Sequence, residues 1–71
     1  MERTIRATID RANSDLQRVN AASLNPQARS QYRDAAGLIR QAESLLGQKN
    51  FSLARVVADR AAKLAAQLAG K

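Results

Sequence analysis

Six carboxylates, Glu2, Asp10, Asp15, Asp34, Glu43 and Asp59, are the chain's main candidates for acid–base or metal chemistry, and their spacing suits neither. No two stand three or four residues apart, the interval that sets side chains on neighbouring turns of one helix face. A carboxylate pair for proton transfer or for a di-metal centre would have to assemble between helices. Histidine and cysteine are both absent, so there is no imidazole base, no thiolate nucleophile, no disulfide and no nitrogen–sulfur metal site. Ser14, Ser23, Ser30, Ser44 and Ser52 therefore lack a histidine to activate them. The three glycines are scattered, which rules out a glycine-rich phosphate loop. The expectation is a chain that is not an enzyme, needs no cofactor or metal, and carries its acids as solvated ion-pair partners.

The cations say more. Twelve bases against six acids give a net charge of +6 on 71 residues, and residues 48 to 71 hold five bases against Asp59 alone. Arg29, Arg33 and Arg40 share a helical stripe with Gly37, whose missing side chain leaves a shallow gap between them. Arginine forks suit phosphate and carboxylate, and glycine lets a backbone come near. With Arg55, Arg60 and Lys63 on the next helix, these residues are candidates for binding an anion or nucleic acid. The competing reading is a solvated face whose long stems cover alanines. Tyr32 and Phe51 both fall on core stripes and are not free to stack on bases, so any nucleic-acid binding is expected to be nonspecific. A second surface involves Leu53 and Val56, one turn apart, off the main apolar stripe and beside Arg60. These three form a candidate ridge for a protein partner, which would be another helix, the rest of a longer chain or a second copy.

The elements that must position these residues follow from apolar periodicity. Ile5, Ile9, Ala12, Leu16 and Val19 alternate by four and three, predicting a helix over about residues 2–22. Its outer face sets Glu2, Arg6 and Asp10 at i,i+4 steps, followed by Arg11, Asp15 and Arg18, so its charge can be met locally. Asn25 can cap a second helix and Pro26 suits its first position. Ala28, Tyr32, Ala35, Ile39, Ala42 and Leu46 run along that helix to about residue 46, with Leu38 and Leu45 widening the stripe. Gly47 is placed to take the left-handed conformation that closes it. Asn50 is placed to cap a third helix over about 51–69, where Phe51, Ala54, Ala58, Ala61, Ala65 and Leu68 form a stripe broadened by Val57 and Leu64. Gly70 and Lys71 read as its end, with the positive charge beside the last carbonyls.

Two short connections force each helix antiparallel to the one before, so the predicted fold is all-α: a single domain forming an antiparallel up-down-up three-helix bundle. Alanine at Ala35, Ala42, Ala54, Ala58 and Ala61 predicts close approach of the second and third helices. No apolar run nears the roughly 18 residues of a membrane span, and no membrane insertion is expected. The start MERTIRATIDR lacks the hydrophobic stretch of a secretory signal. The compartment is left unknown, with two expectations: the cytoplasm, or the bacterial envelope if the domain is excised from a longer exported protein.

The run from Leu38 to Ala61, LIRQAESLLGQKNFSLARVVADRA, resembles one hairpin of the tetratricopeptide repeat class. Phe51, Ala54, Ala58 and Ala61 match the aromatic-and-alanine pattern after its turn, and Ala42 falls where the first helix of a repeat carries its small residue. The long second helix, the missing proline and the single copy depart from that family. The same alanine-rich pattern is similar to uncharacterised helical domains of bacterial envelope lipoproteins and scaffolding proteins. Both resemblances imply a module that holds other proteins. The expected role is thus protein interaction or scaffolding by a monomer or weak homo-oligomer, with a small basic nucleic-acid or anion binder as the alternative.

Overall fold

A computed structural model describes residues 2–70, and Lys71, with its expected charge at the chain's end, lies outside them. Three helices follow one another: α1 (Glu2–Gln17), α2 (Pro26–Gly47) and α3 (Phe51–Ala69), with a one-turn 3₁₀ helix at Ala21–Ser23 between the first two. Every pair of helices is in contact, most extensively α2 with α3 and least α1 with α2. Arg6, near the start of α1, reaches Glu43, near the end of α2. Arg18 and Val19, just past the end of α1, share a depression with Leu68 and Ala69 at the end of α3. The order is therefore up, down, up, in a short rod of 36 × 16 × 13 Å. This is the all-α three-helix bundle that the periodicity predicts.

The core is made of the predicted stripes. Ile5, Ile9, Ala12 and Leu16 of α1 are buried, as are Ala35, Ile39, Ala42 and Leu46 of α2 and Ala54, Ala58, Ala61, Ala65 and Leu68 of α3. Val57 joins them, while Tyr32, Leu38, Leu45, Phe51 and Leu64 are half-buried against the cluster. Ala35, Ala42, Ala54, Ala58 and Ala61 have no accessible surface at all. With so little side-chain volume between them, α2 and α3 must come close for the interior to reach native packing density. Bulk enters from α1, whose Ile5 and Ile9 are the largest fully buried side chains.

The ends of the helices correct three sequence expectations. First, α1 stops at Gln17, five residues short of the expected 22. The Arg18 amide is shared between the Ser14 and Asp15 carbonyls, and Val19 donates to Leu16, so the last turn tightens to i−3 bonding. Asn20 then accepts from the Ala22 amide through its side chain, an Asx turn that starts the 3₁₀ helix. Second, Gly47 is the last residue of α2, not the residue that reverses it. The left-handed residue is Lys49, at φ 64°. Lys49 donates to the Leu46 carbonyl and Asn50 to that of Leu45, which is the Schellman pattern with lysine at the position that glycine favours. Third, Asn50 occupies the N-cap position of α3, but its side chain makes no capping bond. The cap at α2 forms as predicted: Asn25 Oδ1 accepts from the Ala28 amide at 2.8 Å, ahead of Pro26.

Candidate functional site

The six acids do not converge. Among the described residues there is no group of three or more carboxylates or other metal-ligating side chains. Two ion pairs form among those residues. Arg6 lies 3.7 Å from Glu43 across helices, and Asp15 pairs with Arg18. Arg6 thus points across to α2, in place of the expected local pairing with Glu2 and Asp10, in an exposed pair that adds little stability. The expectation that all six acids are solvated is also corrected at Asp15, which is only 7% exposed. It sits on the flank of the α1 stripe beside Ala66, Ala69 and Gly70, where the small side chains of α3 leave room for it. Its partner Arg18 brings a guanidinium to the last turn of α3, which has no basic residue of its own.

An open groove runs between α2 and α3. Arg33, Asp34, Gly37, Leu38 and Gln41 line it from α2, and Arg60, Lys63, Leu64 and Gln67 from α3. Its floor is apolar where half-buried Leu38 and Leu64 close over the alanine seam. A Cβ built on Gly37 would meet nothing within 4 Å, so the groove is open above it. Arg33, Arg60 and Lys63 stand on the rim with Asp34 as the single acid, and none of the four is in an ion pair among the described residues.

The groove gathers part of the predicted basic set. Arg33, Arg60 and Lys63 are brought together; Arg29, Arg40 and Arg55 are exposed and lie outside it. Arg29 stands one turn before Arg33 along α2, and Arg40 one turn after Gly37. Gln41, Leu64 and Gln67 were not singled out as site residues. Folding the chain back at residues 48–50 sets 33–41 against 60–67, and that register was the signal available for them.

On α3 the predicted ridge is present. Leu53 and Val56 are 45% and 50% exposed, the large apolar side chains that the described residues leave in solvent. At about 100° per residue, Leu53, Val56, Arg60, Lys63, Leu64 and Gln67 fall on one side of α3. Ridge and groove are therefore one continuous face. No helix among the described residues is long and apolar enough to cross a membrane. No protein-family model matches the chain, and no curated protein or solved structure does so either.

Proposed function

We propose that the chain is a non-enzymatic protein-docking or scaffolding module that presents the α2–α3 face to a partner. One observation carries this reading: Leu53 and Val56 are large, apolar and half-exposed on a helix whose opposite side already fills the core. Apolar side chains placed in solvent, continuous with a groove and rimmed by charge, are what partner surfaces are made of. The likeness of the α2–α3 hairpin to a tetratricopeptide repeat unit belongs to the same proposal. A photoreactive residue replacing Val56 is expected to crosslink to a discrete protein in the cells that make this chain, while one replacing exposed Gln27 does not. Equal or no crosslinking from the two positions would count against the docking reading.

A second reading is favoured by the convergence of Arg33, Arg60 and Lys63: a binder of nucleic acid or another anion. It separates from the first by salt. Contacts to phosphate weaken steeply with ionic strength. Duplex or single-stranded DNA that still binds at about 150 mM salt, and is released by Arg33→Ala and Arg60→Ala, would favour the anion reading over docking.

A further inference from the structure

We infer that the partner is an acidic amphipathic helix, lying along α3 with its closest approach at Gly37. This rests on the docking reading and adds the chemistry of the occupant. The first support is charge. Arg33, Arg60 and Lys63 surround the groove against Asp34 alone, and among the described residues no carboxylate lies within ion-pairing distance of them. An occupant with glutamate or aspartate on its flanks would supply the missing partners. A second copy of this chain, with its net charge of +6, would bring the wrong sign.

Shape is the second support. From Leu53 to Gln67 the outer side of α3 runs about 21 Å at 1.5 Å per residue, enough for roughly four turns of a docked helix. Its apolar positions, Leu53, Val56 and Leu64, with Leu38 across the groove, suit anchors at i, i+3, i+4 and i+7. Phosphate backbones have no such stripe to bury, and the aromatics that would stack on bases are tucked against the core. A lipid surface would call for a broader exposed apolar face than two side chains.

Gly37 is the third support. Glycine within a helix is less stable than alanine, and here a Cβ would meet nothing, so packing within the bundle does not require it. What the missing side chain provides is room above the backbone, which a second helix can use.

The test uses the full chain and two synthetic 16-residue helical probes with the same leucine stripe, one flanked by glutamate and one by lysine. The glutamate probe is expected to bind at least about tenfold more tightly than the lysine probe. Gly37→Ala should raise the thermal midpoint by about 4 °C while weakening the glutamate probe. Gly37→Leu, with helix content checked by circular dichroism, should weaken it by about tenfold or more. Equal binding of both probes, no binding of the glutamate probe, affinity unmoved by either Gly37 substitution, or preference for duplex DNA or anionic vesicles would each overturn the inference. If a protein still crosslinks from position 56 in that case, the docking reading stands and the acidic helix alone is lost.

Discussion

The two sides of α3 use their residues in opposite ways. Facing inward, Ala54, Ala58, Ala61 and Ala65 are completely buried, and their small size lets the helices nest. Facing outward, Leu53 and Val56 offer more apolar surface than any of those alanines and leave about half of it in water. If hydrophobic burial alone chose the residues, the larger side chains would sit inside. The difference teaches that the interior is limited by space and not by a shortage of apolar residues, and that the outer side carries hydrophobicity the bundle does not use.

The contrast can be broken from either side by substitution. The largest effect is expected at Ile9, which fills volume the alanines leave empty: Ile9→Ala should cost about 2–5 kcal/mol in chemical denaturation, enough to unfold much of a domain this small. Enlarging the seam comes next. Ala58→Leu has no room to accept three more carbons and should lose about 1–3 kcal/mol or more, whereas a leucine at exposed Gln67 should be nearly neutral. Asn25→Ala removes the bond to the Ala28 amide and should cost about 1 kcal/mol. At the α2–α3 turn the signs reverse. Lys49→Gly relieves a left-handed lysine and Gly47→Ala fills open space inside a helix, so each should stabilise by about 0.5–1 kcal/mol. Had Gly47 been the left-handed residue, the alanine substitution would destabilise instead.

Much of this architecture was legible because it depends on period and punctuation. The stripes from Ile5 to Leu16, from Ala28 to Leu46 and from Ala54 to Leu68 follow the 3.6-residue repeat, and Asn25-Pro26 marks a helix start by side-chain chemistry. The end of α1 was less legible because no glycine or proline signals it. It depends on a shared amide at Arg18 and on which of several nearby polar side chains, here Asn20, captures the next backbone amide. Lys49 was hidden for a related reason: glycine two residues earlier is the better left-handed residue, yet the helix runs on through it and reverses at Lys49. At the site, the exposure of Leu53 and Val56 follows from their place off the stripe. The groove does not, because it is a property of register between two helices, which period alone leaves open. Thus Arg33, Arg60 and Lys63 meet while Arg29, Arg40 and Arg55 stay apart.

The most direct measurement is thermal unfolding, by circular dichroism, of Leu53→Asp beside Ala58→Leu. Leu53→Asp should move the midpoint by no more than about 3 °C, as at a surface position the fold does not use, and Ala58→Leu should lower it by roughly 8 °C or more. Equal losses in the two variants, or a larger loss from Leu53→Asp, would mean that the outer side of α3 is needed by the bundle itself and is not spare surface for a partner.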